Sequence, residues 1–216
     1  MKLIQFGEIV AGYDVPVLNE REIRAAAGIL FLATYTSLMF ILFNGNFVLI
    51  KYVISIFLLD LLIRVFINPR FSPVMILGRL MVRNQAPEYV GAKQKRFAWS
   101  IGIVLSSVMG YLFLIVNAYS PITGLICLVC LVFLFFEAAF GICLGCLFYP
   151  LFFKDKAQLC AGEVCEAPSK QPIQKISRAQ IIILVFFISS VFVATRVLRE
   201  QFSRQPHDFF KTAASR

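Results

Sequence analysis

The sequence predicts an all-α polytopic membrane helix bundle: four to five transmembrane helices plus one short interfacial amphipathic helix. Three observations carry that prediction. Of 216 residues, 59% are apolar, where a soluble domain carries about 45–50%. Charged residues make up 15%, against about 25% in soluble domains. The apolar residues gather into runs near the ~20 residues that a helix needs to cross a hydrocarbon core. A soluble fold of this length cannot hide so much apolar surface, and the same composition excludes disorder.

Residues 1–24 read as a polar leading segment on the cytoplasmic side. Glu8, Asp14, Glu20 and Glu22 interrupt it before any long apolar run, so it lacks the apolar centre of a signal peptide and the chain enters the bilayer through its own first span. The membrane core occupies residues 25–153. Its first span runs about 25–43 and ends at Asn44-Gly45-Asn46, and the second runs about 47–67 and stops at Asn68-Pro69. Residues 73–83 are apolar but too short to cross. Arg79 and Arg83 share one face of that stretch at i, i+4 spacing, which predicts a helix in the headgroup layer with both arginines turned to water or phosphate.

The third span covers about 98–116. The fourth starts at Pro121, a residue suited to a first helical turn, and stays apolar to Phe153. That length is roughly 50 Å of straight helix against a core of ~30 Å, so the helix must bend or leave the membrane. Gly141, Gly145 and Pro150 are the candidate breaks. Residues 154–179 form a polar, cysteine-containing loop. A fifth segment at 180–195 is expected to span, with interfacial placement as the alternative, and residues 196–216 form a basic tail.

Charge sets the orientation. The net charge is +9, from 21 Lys and Arg against 12 Asp and Glu. With five spans, fourteen of the basic residues fall on the side of the N-terminus and six on the other. The positive-inside rule then places the N-terminus in the cytoplasm, although the basic tail opposes it. The cations are expected to meet the lipid bilayer, with no nucleic acid as partner, because no soluble stretch interleaves them with stacking aromatics.

Chemistry concentrates in sulfur. All six cysteines lie between positions 127 and 165. Cys143-Leu144-Gly145-Cys146 is a C-x-x-C pair that can cycle between dithiol and disulfide, with Cys143 as attacking and Cys146 as resolving thiol. The alternative is two small apolar residues filling a helix interface. Cys127 and Cys130 repeat the spacing and read chiefly as core. In a continuous helix Cys143 stands ~20 Å beyond Cys130 and some 140° around, which forbids direct exchange. Cys160 and Cys165 lie in the polar loop. They offer either exchange with the membrane pair or, with Cys143 and Cys146, a four-thiolate site for zinc or copper(I). The metal reading is the less favoured, since a half-buried membrane motif makes a poor zinc knuckle.

Asp60 and Arg64 at i, i+4 in the second span form a candidate structural ion pair. Glu137 lies in the fourth span. Helix rise puts Asp60 and Glu137 at about the same depth, ~20–24 Å, where they can meet. Either carboxylate can serve as proton acceptor for a thiol, since desolvation raises a carboxyl group toward neutrality. The competing reading is an Asp60–Arg64–Glu137 salt-bridge cluster that locks the helices. The single His207 reads as solvated.

Four stretches carry a resemblance: 15–22 (VPVLNERE), 68–73 (NPRFSP) with Gly78-Arg79, 94–102 (QKRFAWSIG), and 137–146 (EAAFGICLGC). Together they resemble an uncharacterised bacterial integral-membrane family catalogued as domain of unknown function 4395, with a Cys-Leu-Gly-Cys signature. The resemblance implies a bundle of about four helices in a bacterial inner membrane. It also implies that Cys143 and Cys146 form the site, and it supplies no established activity.

The expected function is a membrane thiol–disulfide exchange or sulfur-handling protein, with thiol–disulfide oxidoreductase as the candidate enzyme class. It works without a cofactor, and its partner is a thioredoxin-like protein or a small thiol. The alternatives are a small-solute or ion transporter, a non-catalytic scaffold, or a soft-metal binding protein.

Overall fold

The computed structural model describes residues 6–10, 12–13, 15–147 and 175–208. A short strand, β1 (Val17–Asn19), leads into α1 (Glu20–Asn44). Helix α2 (Val48–Leu62) continues through a π-helical turn at Ile63–Ile67. Helix α3 (Pro73–Val82) follows, then β2 (Tyr89–Gly91), then α4 (Ala92–Gly110) with a second π-helical turn at Tyr111–Val116. Strand β3 (Ala118–Tyr119) precedes α5 (Pro121–Phe140) and the single turn α6 (Leu144–Leu147). The described chain closes with α7 (Arg178–Val197), α8 (Arg199–Ser203) and β4 (His207–Asp208).

The expected membrane helices are present. The helices Glu20–Asn44, Ala92–Val116, Pro121–Phe140 and Arg178–Val197 are each long and apolar enough to cross a membrane. Helix α2 with its π turn adds a further continuous helical stretch, interrupted by Lys51, Asp60 and Arg64. The protein is thus a helical membrane protein. Among the described residues its strands form two small ribbons, β1 with β2 antiparallel and β3 with β4 parallel.

Local sequence explains where the helices begin and end. Helix α1 starts five residues before the expected span because Asn19 caps it. The Asn19 Oδ1 accepts from the Arg21 amide at 3.2 Å and its Nδ2 donates to Glu22 Oε1 at 3.0 Å. Glu20 and Glu22 in the first turn complement the positive end of the helix dipole. Gly45, in the left-handed region at φ 60, ends the helix at the predicted Asn-Gly-Asn turn. Ser120 and Thr123 form a capping box ahead of Pro121.

Helix α3 departs from expectation. Arg79 is not turned to water; it is 3% exposed and donates to Glu22 Oε2 from Nε at 2.9 Å and Nη2 at 2.8 Å. Val74, Met75 and Ile76 are buried with it, while Leu77, Leu80 and Met81 are exposed. The sequence shows the arginine spacing but not Glu22, the acid that draws one arginine inward. Gly78 permits the close approach. A Cβ there would lie 2.7 Å from the Glu22 carbonyl oxygen and 3.0 Å from the Ala26 nitrogen, both backbone atoms.

Helix α7 is held at its two ends. At its start Gln180 Nε2 donates to the Arg70 carbonyl at 2.9 Å, just beyond the end of the second span. Past its end, Lys51 Nζ donates to the Arg204 carbonyl at 2.7 Å, and Phe202 packs on Tyr52 with ring centroids 4.4 Å apart. Both of these lie at the start of α2, so α7 runs antiparallel to α2 over its full length. The fifth segment therefore runs the length of the bundle, and residues 199–208 sit at the end opposite α3.

Two predictions follow from this packing. Gly78→Ala pushes α3 off α1 and costs about 1–3 kcal/mol, read as a lowered unfolding midpoint in detergent micelles. The second concerns Glu8, which bridges to Val17 through two backbone hydrogen bonds of 2.9 Å. Burial raises its carboxyl group above the ordinary 4.5, outweighing Arg70 and Arg79, and Glu22 adds to the rise. A carboxyl group raised in the folded state stabilises that state at low pH and loses the contribution as pH rises through its folded value. Protection of the Glu8 and Val17 amides from hydrogen exchange, corrected for intrinsic rates, therefore increases from neutral pH toward 4.5, and Glu8→Gln removes the dependence.

Candidate functional site

The inner face of α5 carries Cys127, Cys130, Leu134 and Glu137, spaced so that all four fall on one side of a helix. The helix stops after Phe140. Gly141 takes the left-handed conformation at φ 70, its amide donating to the Glu137 carbonyl at 3.2 Å, and the Ile142 amide donates to the Phe136 carbonyl at 3.1 Å. These two bonds form a Schellman-type stop. Arg24 of α1 reinforces it, donating from Nη2 to the Ala139 carbonyl at 3.1 Å. Gly141 is thus a break, and of the other two candidates Pro150 lies outside the described residues.

The break redirects the sulfurs. Cys143 immediately precedes the turn α6, whose Cys146 amide donates to the Cys143 carbonyl at 2.9 Å. Cys143 and Cys146 are joined as a disulfide, with Cα atoms 5.2 Å apart. The turn packs on α4 so closely that a Cβ at Gly145 would meet Ala98 Cβ at 2.7 Å. The expectation that Cys143 points away from Cys130 fails for this reason. It assumed one continuous helix, and the chain reverses at Gly141 instead, so that both residues line one cavity.

That cavity, about 60 Å³, lies between α1, α2, α4 and α5. Leu30, Phe57, Leu61 and Leu134 make most of its wall apolar, and Arg64, Trp99, Glu137 and Cys143 supply its polar groups. Trp99 is 4% exposed, and its indole Nε1 has no hydrogen-bond partner among the described residues. A second, smaller cavity shares Phe57, Cys130 and Leu134 with the first and reaches Cys127. Cys127 and Cys130 remain free thiols.

Two separate ionic networks frame the cavity. In the first, Lys95 Nζ lies 2.9 Å from Glu20 Oε2 and 2.9 Å from Glu137 Oε1. This single buried ammonium ties α1, α4 and α5 together. In the second, Arg64 pairs with Asp60 at 2.6 Å and lies 5.2 Å from the Trp99 ring centroid. Asp60 is fully buried and also accepts from Ser72 Oγ at 2.5 Å and the Val74 amide at 2.9 Å, so it closes the N-terminal turn of α3. Asp60 and Glu137 therefore do not meet. The candidate ion pair Asp60–Arg64 is present, the three-membered cluster with Glu137 is not, and Asp60 does not line the cavity.

Sequence reasoning missed Lys95 and Glu20. Both stand just outside the apolar runs, where charges read as solvated flanks. A usable signal is Lys95 lying i, i+4 before Trp99, on the face that turns inward. Among the described residues no group of three His, Cys, Asp or Glu side chains is placed to hold a metal ion. Cys160 and Cys165, the other half of the four-thiolate reading, lie outside the described residues.

Fold and site together define a helical membrane protein with a disulfide beside a partly polar cavity in its bundle. A family model described as a domain of unknown function (DUF4395) matches residues 18–154, and the chain belongs to that family. No curated protein and no solved structure matches it.

The lysine bridge yields a prediction. Lys95→Met strands two carboxylates in the bundle and destabilises it by about 3–5 kcal/mol. Adding Glu20→Gln and Glu137→Gln recovers most of that loss, because neutral amides no longer need the cation. Denaturant melts of the single and triple variants in micelles measure both effects.

Proposed function

We propose that the protein exchanges thiols and disulfides, or handles thiol sulfur, at Cys143 and Cys146. The observation that supports this most directly is the Cys143–Cys146 disulfide, with Cys143 in the wall of a cavity that also contains Glu137. Both cysteines are half-buried, so a donor can reach them without unfolding the bundle.

In the proposed cycle a donor thiolate attacks one sulfur of the disulfide. The Cys143–Cys146 bond breaks, a mixed disulfide forms, and the other cysteine leaves as thiolate. A second donor thiol, or the second thiol of a dithiol donor, then releases the first. Two donor thiols are oxidised to one disulfide and the Cys143–Cys146 pair is reduced to the dithiol. Glu137 is the proposed proton carrier between donor thiol and leaving thiolate, with Lys95 holding it in position. Asp60 acts at one remove, by fixing Arg64 against Trp99. A cavity of about 60 Å³ suits a small thiol or the tip of a thioredoxin-like partner rather than a bulky organic cofactor.

The proposed setting is a bacterial inner membrane with the N-terminus, the loop containing α3 and the disulfide on the cytoplasmic side. Fourteen basic residues on that side support it.

Differential alkylation with mass spectrometry, before and after a small thiol is added to membranes, tests the reading. Cys143 and Cys146 are expected to move together from protected to alkylated, and Glu137→Gln to slow the change about tenfold or more. If the pair keeps one redox state under all donors, the function lies elsewhere. Flux of a small solute in vesicles that is lost in Glu137→Gln but kept in Cys143→Ser identifies a carrier instead.

A further inference from the structure

The far end of the bundle contains a charge that the disulfide site does not use. Lys51, in the first turns of α2, is 2% exposed. Its ammonium donates to Asn117 Oδ1 at 2.7 Å and to the Arg204 carbonyl at 2.7 Å. Both acceptors are neutral. No carboxylate among the described residues pairs with it, in contrast to Lys95, Arg64 and Arg79, which all have acids within 3 Å. An ammonium has three N–H donors and here uses two. A buried cation held only by neutral oxygens leaves its desolvation largely unbalanced, and the usual remedy is a counter-anion.

A cavity of about 120 Å³ is lined in part by this lysine. Lys51, Asn117, Gln201 and Arg204 line it, together with Phe113 and Phe202. The Gln201 and Arg204 side chains are exposed and have no partner among the described residues. Among the described side chains no acid lines the cavity, and the neighbouring Glu200 is exposed outside it. The backbone is arranged to keep the cavity in place. Asn117 holds the left-handed conformation at φ 54, and its Nδ2 donates to the Gln205 carbonyl at 3.0 Å while its Oδ1 engages Lys51. One asparagine thus locks both the lysine and the segment that brings Arg204.

We propose that the cavity bounded by Lys51, Asn117, Gln201 and Arg204 binds a phosphate-type oxyanion presented at this end of the bundle. Lys51 supplies the buried charge and its third N–H, and Arg204 supplies a planar fork suited to two phosphate oxygens. A lipid headgroup and a free phosphate share this chemistry. The site is independent of the thiol reading and stands or falls without it.

The test is the unfolding midpoint of the full chain in neutral detergent. It is measured with added inorganic phosphate against chloride at matched ionic strength, and with short-chain phosphatidylglycerol against phosphatidylcholine of equal chain length. A saturable rise is expected with a phosphate probe. A rise with inorganic phosphate identifies a soluble anion, and a rise with phosphatidylglycerol alone identifies a headgroup. Arg204→Gln, an exposed change that leaves folding intact, is expected to weaken the apparent affinity at least fivefold, and Lys51→Met to abolish it. Absence of any specific rise in the unaltered chain overturns the proposal. So does an affinity unchanged in Arg204→Gln.

Discussion

The bundle depends on one ammonium group in a low-dielectric interior. Lys95 places its charge between Glu20 and Glu137, and through them α4 holds α1 and α5. Inside a membrane protein apolar side chains gain little by leaving lipid for one another, since lipid tails are equally apolar. Van der Waals fit and paired charges must then select the packing. The fit is visible where α3 meets α1 across Gly78 and where α6 meets α4 across Gly145. Among the described residues the charges form three buried pairings, Lys95 with its two glutamates, Arg64 with Asp60 and Arg79 with Glu22. All three sit toward the end of the bundle that carries the disulfide. That end is built by ionic specificity, and the lipid-exposed midsection by apolar length.

This distribution explains how the Cys143–Cys146 disulfide is held in place there. A disulfide between two residues of one short turn is fixed only as well as the turn itself. Here α5 is stopped by Gly141, the stop is reinforced by Arg24, and the turn is pressed onto Ala98. The carboxylate of Glu137 is in turn held by Lys95. The cavity walls are therefore set by groups that do not themselves touch sulfur.

The helices and their order were legible in the sequence because apolar length and the Asn44-Gly45-Asn46 and Ser120-Pro121 punctuation are local signals. The break after Phe140 was legible for the same reason: a span too long for the bilayer has to be interrupted, and glycine marks where. The pairings were not. Arg79 and Arg83 share a face, and nothing within their own helix says that one of them finds Glu22 on another. Lys95, Glu20 and Lys51 sit where charges ordinarily meet water, and only the assembled bundle turns them inward. The relation of Cys143 to Cys130 was misread because rotation per residue was counted through a position where the helix had ended.

The anchoring of α7 has a mechanical meaning. Its 20 residues span ~30 Å, the thickness of a typical hydrocarbon layer. Gln180 fastens one extremity and the Lys51–Asn117 clamp the other, while most of the stretch between is exposed on the bundle surface. The helix is a strut of fixed length, pinned at both extremities. A load along the strut therefore falls on both polar joints, one at each end of the bundle.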